Sequence, residues 1–176
     1  MTAGVGPIER TSFRQLMSQW ATGVSVITCL DDQVPAGCTA NALTSLSLDP
    51  PRLLVCFDLS ARTLASVRRS RRFTVNVLTA SQEEICGRFA SRASHADKFA
   101  GVPYRVAFDT VLLEDCMAAI VCEVADELVH GDHVIVVGDV IHGELPVAAP
   151  PLIFFQSQFV QLLERFQEDE SREEGS

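Results

Sequence analysis

GCTANALTSLSLDPPRLLVCFDLSART, the stretch from Gly37 to Thr63, decides how the rest of the chain is read. It opens with the polar residues Thr39, Asn41, Thr44, Ser45 and Ser47, among which Ala40 and Ala42 are small enough to let a backbone approach a flat ligand. Asp49-Pro50-Pro51 then interrupts any strand ladder, because proline has no N–H to donate and restricts the residue before it. Leu53-Leu54-Val55-Cys56-Phe57 is a short apolar run of the kind that forms a buried strand. A second polar turn, Asp58-Leu59-Ser60-Ala61-Arg62-Thr63, leads into the helical spacing of Leu64 and Val67. The free N–H groups of such a helix start, with the Arg62 guanidinium beside them, offer a seat for a phosphate. A polar loop and a phosphate seat joined by one strand suggest a phosphorylated planar cofactor. The plainer alternative is that these serines and threonines are turn and cap residues bonding their own backbone.

Working outward, 176 residues at 47% hydrophobic are enough for one domain with a real core. The net charge of −9 and pI near 4.8 argue against nucleic acids and anionic membranes as partners, since both attract basic surfaces. Part of that charge is local: Glu164 to Ser176 holds six acids against two arginines. No apolar run approaches the roughly 18–20 residues of a membrane span. MTAGVGPIERTSF lacks the basic leader and apolar core of a signal peptide, so a cytoplasmic location is expected. The six cysteines form no C-x-x-C pair, and several sit inside apolar runs, as buried free thiols do in a reducing compartment. His130 and His133 flank Gly131-Asp132, a turn and not a helix face, so no metal site is expected.

Residues 1–10, with Gly4, Gly6 and Pro7, read as a flexible lead-in, 11–166 as the folded domain and 167–176 as an acidic disordered tail. Phe13, Leu16, Met17 and Trp20 predict an amphipathic helix whose stripe enters the core. Gly23 to Cys29 is rich in β-branched residues and predicts a strand, with Leu30 to Pro35 turning back. Thr63 to Ser70 predicts a short helix running into Arg68-Arg69-Ser70-Arg71-Arg72, read as a solvated face, with a grip on the pyrophosphate of NAD(P)H or FAD as the alternative. Phe73 to Leu78 alternates as a strand does. Ser81-Gln82-Glu83-Glu84 has the form of a capping box opening a helix that buries Ile85, Cys86 and Phe89. Ser91 to Tyr104 has no clean period and predicts a covering loop. Leu112 to Val129 and His133 to Leu145 are long β-rich runs about a hairpin turn at His130-Gly131-Asp132. There is no P-loop, G-x-S-x-G or G-x-G-x-x-G, and no nucleophile constellation.

Several of these segments together resemble the short-chain flavin reductases, the small reductase components of two-component monooxygenases. Gly37-Cys38-Thr39-Ala40-Asn41-Ala42, then Ser45-Leu46-Ser47-Leu48-Asp49-Pro50-Pro51, is similar to that family's G-x-T-A-N-S and S-x-S-L-x-P-P, with Ala42 in place of the usual serine. Phe13 followed by Ala21-Thr22-Gly23-Val24 resembles its first strand, Phe73 to Leu78 its F-x-V-N-x-L strand, and Asp97-Lys98-Phe99 its K-F segment. Cys122-Glu123-Val124 resembles a shifted remnant of its E-C-x-V strand, and Pro150 to Gln156 its closing strand. Gly131-Asp132-His133, continuing to Val140, resembles its G-D-H-x-I/V-x-x-G-x-V strand.

The resemblance implies a mainly β fold, an FMN-binding split β-barrel of Greek-key topology with peripheral helices, closed by Phe159, Leu162 and Leu163. It implies NAD(P)H-dependent reduction of FMN or FAD by hydride transfer from nicotinamide C4 to flavin N5, with NADH or NADPH as co-substrate. The reduced flavin would go to a separate monooxygenase or halogenase, and the protein would be a homodimer. By the same resemblance Thr39, Ala40, Asn41 and Ala42 lie along the flavin edge, and Ser45, Leu46 and Ser47 near the ring and ribityl chain. Ser60, Arg62 and Thr63 hold the phosphate, Phe89 and Lys98 sit beside the cofactor, and His133 is the catalytic residue on the nicotinamide side. His130 and His142 are read as surface or barrel-rim residues. The rival reading is a non-catalytic flavin- or haem-binding protein on the same barrel; a pyridoxamine-phosphate-oxidase-like enzyme lacks support in the arginine and lysine pattern.

Overall fold

The computed structural model describes residues 6–162, so the acidic tail and Leu163 lie outside the described residues. Helix α1 (Arg10–Met17) forms where the apolar spacing places it, but the expected use of that spacing is overturned. No residue of α1 is buried: Phe13 is 53%, Leu16 61% and Trp20, just beyond, 71% exposed. Periodicity specifies an apolar face, and this one lies on the surface of the protomer.

Strands β1 (Thr22–Gly23), β2 (Ser25–Asp31), β3 (Val34–Ala40), β4 (Leu43–Leu48) and β5 (Pro51–Asp58) precede helix α2 (Arg62–Ser70) and strand β6 (Arg72–Val77). A single 3-10 turn, Ala80–Gln82, runs into α3 (Glu83–Ala90), followed by α4 (His95–Phe99). Then come β7 (Tyr104–Ala107), β8 (Thr110–Leu113), β9 (Ala118–His130), β10 (His133–Glu144), β11 (Ile153–Phe155) and β12 (Gln158–Val160).

Seven strands make one antiparallel sheet in the order β3-β2-β6-β9-β10-β5-β4, with β1-β11-β12 and β7-β8 as small companions. Its two outermost strands, β3 and β4, are consecutive in sequence and joined only by Asn41-Ala42. Three residue steps reach about 11 Å at most, so the sheet must curl until its rims nearly meet at that end. No ladder joins the rims, and the result is a split barrel, as expected.

Both faces of the sheet are covered. Alternate residues of β2 take opposite sides. Ile27 and Cys29 enter the barrel interior with Val55, Phe73, Val134 and Val136, where Leu64 and Val67 of α2 close one side. Val24 and Val26 face outward into a second cluster with Leu78, Phe89, Phe99 and Leu152. Buried Asn76 ties the layers: its amide donates to the Val26 carbonyl and Thr28 Oγ1, each at 2.9 Å, and its oxygen accepts from Leu113 N at 2.8 Å. In the closing segment Phe159 packs on Phe154 with centroids 5.6 Å apart, whereas Leu162 stays 42% exposed.

Four other expectations change. The polar run Thr39 to Ser47 is mostly strand, the ends of β3 and β4 around a two-residue break, because its hydroxyls leave the backbone free to pair. The capping box is at Thr79 and Gln82, two residues ahead of the Ser81–Glu84 pattern: Thr79 N donates to Gln82 Oε1 at 3.1 Å. The segment expected as loop contains α4, started by Ser94 Oγ accepting from Asp97 N at 3.1 Å. The run from Leu112 is broken after Leu113 by a turn in which Asp115 takes φ +58°. All six cysteines are free.

Candidate active site

The junction Asn41-Ala42, at which the two rims meet, forms one side of an open cleft of about 930 Å³. Ala42, Leu43 and Thr44 line it beside Leu54 and Cys56 of β5, and Ser25 and Val77 lie beneath. Arg14, Met17 and Trp20 of the α1 region line it as well, as does His133. Small side chains and an exposed indole in its lining suit a flat ring system.

His133 begins β10, directly across from Asp58 at the end of β5. Gly131, at φ +61°, takes the first turn position, where a side chain would strain the two-residue hairpin. His133 Nδ1 and Asp132 Oδ1 are 2.7 Å apart, while Asp132 Oδ2 meets Arg10 Nη2 at 3.3 Å. The Asp132 carbonyl accepts from Leu59 N at 3.0 Å, which fixes the turn against the β5–α2 connection. The hydrogen bond from His133, and then its charge, hold the Asp132 carboxyl below its usual range. With Nδ1 engaged by the carboxylate, Nε2 is the nitrogen left to meet a ligand.

The α2 start is the second feature. Its N-cap is Ala61, which supplies no side-chain acceptor, and its first turn carries no acid. With Leu64 N donating to the Ala61 carbonyl at 3.1 Å, the Arg62 and Thr63 N–H groups remain disposed toward an anion. Arg62 Nη2 donates to the Arg92 carbonyl at 3.0 Å and to that of Ala93, so the guanidinium is aimed by the α3–α4 connection. No carboxylate pairs with Arg62 among the described residues. The Arg68–Arg72 run differs. Arg68 meets Glu127 at 2.8 Å, Arg71 the same carboxylate at 4.0 Å, Arg72 meets Asp109 at 2.7 Å, and Arg69 is forked on Asp31. Those cations are neutralised within the fold.

The sequence-derived site residues therefore divide. Asn41, Ala42 and His133 come together in the cleft. Ala40 ends β3 beside them, its carbonyl accepting from Ser25 Oγ at 2.9 Å, and Thr39 Oγ1 donates to the Cys86 carbonyl at 2.7 Å. Ser45, Leu46 and Ser47 lie further along β4, with Leu46 at a bulge in its pairing with β5, and they do not line the cleft. Ser60 reaches the α2 turn, but its N–H and hydroxyl both donate to Asp58 Oδ1, at 2.7 and 2.6 Å, which keeps that carboxyl below its ordinary range. Thr63 is buried against Cys38, whose thiol burial pushes up and the Thr63 hydroxyl partly restores.

Phe89 and Lys98 are buried and do not line the cleft. Phe89 is fully buried, with its ring edge-on to Phe99 at 4.9 Å. Lys98 Nζ donates to the Phe89 carbonyl at 2.9 Å and the Gly37 carbonyl at 3.3 Å, and Gly37 N meets His95 Nδ1 at 3.4 Å. Thus α4 covers the β3 edge at Gly37. A Cβ there would come within 2.8 Å of the Phe89 ring, so the glycine serves close packing. His130 is exposed at the hairpin, and His142 stacks on Phe108 at 4.2 Å.

Arg14, Trp20, Ser25 and Cys56 are cleft residues that the sequence reading left out of the site. The run Leu53 to Phe57 looks uniformly apolar, yet Leu53, Val55 and Phe57 are buried while Leu54 and Cys56 are half-buried toward the cleft. That period of two was the available signal. Burial raises the Cys56 thiol, so it is a neutral lining group and not a thiolate. Among the described residues no three His, Cys, Asp or Glu side chains converge on a metal position, and no described helix is long and apolar enough to cross a membrane.

Residues 17–163 match the model of the flavin reductase like domain. The chain belongs to this flavin reductase family. Its relatives include the reductase subunit HsaB of a flavin-dependent monooxygenase from Mycobacterium tuberculosis, 37% identical over 155 residues that cover 86% of this chain and 82% of the relative. The reductase component of 4-nitrophenol 4-monooxygenase/4-nitrocatechol 2-monooxygenase from Rhodococcus opacus is 34% identical over 153 residues, covering 87% and 81%. Among solved structures, BorF, the flavin reductase component of a bacterial two-component tryptophan halogenase, superposes with a TM-score of 0.82 at 31% identity, covering 89% of this chain and 100% of that one. As a flavin reductase family member the protein is an oxidoreductase. Its open cleft at the split of the barrel, lined by small side chains and the exposed Asn41, fits a flavin.

Proposed function

We propose that this protein is an NAD(P)H-dependent flavin reductase that supplies reduced FMN or FAD to a separate monooxygenase or halogenase. The observation that carries the reading is the meeting of the Asn41-Ala42 junction and His133 in one cleft, with the open α2 start four residues after Asp58, the strand partner of His133. A bound flavin supplies the redox chemistry, accepting a hydride from the dihydronicotinamide. What the chain must contribute is a slot, donors at the ring edge, an anion seat and a group on the donor side.

Asn41 and the backbone of the β3–β4 junction serve the ring edge, and the alanine at position 42 keeps the floor low where a larger residue would stand between ring and strand. Arg62 and the first N–H groups of α2 serve the phosphate. His133, oriented by Asp132 through Nδ1, presents Nε2 to the nicotinamide side. No titrating nucleophile is required, in keeping with the neutral Cys56 and the absence of a base–nucleophile pair in the cleft among the described residues. The relatives named as reductase components of monooxygenases and of a halogenase support an oxygenase or halogenase as the recipient of the product.

The exposed stripe Phe13, Leu16, Met17 and Trp20 supports a homodimer, because apolar side chains of this size gain by covering each other. Mixing the purified protein with NADH or NADPH and excess FMN or FAD tests the enzyme directly. Flavin-dependent loss of the dihydronicotinamide absorbance is expected. Flavin binding without that loss would leave a non-catalytic flavin carrier and overturn the reductase reading.

A further inference from the structure

We propose that Arg14 anchors a phosphate of the incoming nicotinamide nucleotide, a role that rests on the reductase reading above. Arg10 and Arg14 are four residues apart on α1 and so project from one face, their Cβ atoms about 5–6 Å apart. Arg10 is located by its contact with Asp132, the residue that holds His133. Arg14, one turn further, lines the same cleft as His133. It is the one permanently charged side chain among the described residues of that lining. Among the described residues no carboxylate pairs with its guanidinium, whereas Arg10, Arg52, Arg68, Arg69, Arg72 and Arg105 each have an acid.

An unmatched cation in the wall of a ligand cleft is unusual in a chain of net charge −9. A nicotinamide nucleotide is an anion that such a surface otherwise repels, so its approach requires a local positive group. The flavin phosphate has its own seat at α2. Arg14 stands on a different element, beside the exposed Trp20 and His133, where the nicotinamide half must enter if it is to face the flavin. A guanidinium there offers a phosphate forked, charge-assisted hydrogen bonds.

The test compares two hydride donors. NADH or NADPH carries phosphates, whereas N-benzyl dihydronicotinamide has the same reacting ring and none. Arg14→Ala should raise KM for NADH or NADPH by a factor on the order of 10–100, the range for loss of a hydrogen bond to a charged group. With the benzyl donor, and in the Kd for FMN read by fluorescence, the loss should be several-fold smaller than with the phosphorylated donor. Oxidised NAD(P) binding to the flavin-loaded protein should weaken by the same factor as KM, with Arg14→Lys in between. Equal impairment with both donors would make Arg14 a structural support of α1 and overturn the proposal, as would an unchanged KM for the phosphorylated donor. If the wild type oxidises neither donor, the reductase reading fails by itself, and the binding comparison with oxidised nucleotide still decides Arg14.

Discussion

Replacing Gly138 by alanine should destabilise the fold far more than one methyl group suggests. Gly138 lies in β10 beside a register shift against β9, five residues from His133. A Cβ built there meets Cys122 Cβ at 2.7 Å and Phe73 Cζ at 2.7 Å, with Phe73 Cε1 at 3.1 Å. Unstrained carbon contacts lie near ~3.5–4.0 Å, so about 1 Å of movement is needed in two directions. Neither neighbour has room: Phe73 and Cys122 are both fully buried, and Cys122 Cβ moves only with the β9 backbone. Overpacking of this kind costs about 1–3 kcal/mol, and two blocked directions put Gly138→Ala at roughly 3 kcal/mol. For a chain of this size that is a fall in Tm of about 6–12 °C. Urea unfolding followed by circular dichroism measures it, with Gly143→Ala as control, since nothing lies within 4 Å of a Cβ at that glycine. Phe73→Leu should partly relieve the clash, so the double variant should lose less than the sum of the single losses. A Gly138→Ala protein within about 0.5 kcal/mol of wild type would refute the rigidity assigned to this part of the barrel.

Three other perturbations address the cleft, the surface and the charge pattern. Arg62→Ala should weaken FMN binding by about 1.5–3 kcal/mol while leaving riboflavin, which has no phosphate, unaffected in a fluorescence titration; equal losses would remove Arg62 from the anion seat. Leu16→Glu with Trp20→Ser should shift sedimentation toward the monomer, and a monomeric wild type would show that the α1 stripe is not a dimer contact. Asp31 has its carboxyl drawn below the usual range first by hydrogen bonds from Arg69, opposed by burial and aided by Ser66. Its folded pKa is therefore under its unfolded one, so the stabilisation is complete above about pH 4 and drains away as the pH falls through the folded value. Asp31→Asn should accordingly flatten the acid limb of the stability–pH profile, and an unchanged limb would show that the pair is too solvated to matter.

The strands were legible because β-branched and apolar runs between proline and glycine breaks leave few other options, and Phe73 to Val77 or His133 to Val140 form as read. Helix α1 was legible as a helix and misread as a core element, since amphipathic spacing records a preference for cover without naming what provides it. Helix α4 was missed for a different reason: at five residues it is too short for a period to show, and its Ser94–Asp97 cap is a single local pair. Within the cleft, Asn41, Ala42 and His133 were accessible as motif residues. Phe89 and Lys98, expected beside the cofactor, are buried and do not line the cleft, and the burial of a lysine on two carbonyls leaves no mark in the sequence. Arg14 escaped notice because what sets it apart, a cleft position with no paired carboxylate among the described residues, shows only in the folded arrangement of charges.

The passage from β3 to β4 makes the covalent backbone itself a drawstring. The sheet's curvature is imposed by a tether of two residues where no hydrogen-bonded ladder closes it, so slack introduced between Asn41 and Ala42 would let the two margins drift apart even with every remaining strand pair intact. A stretch of a few added glycines at that point would therefore flatten the protein locally, and the groove would widen before the core loosened.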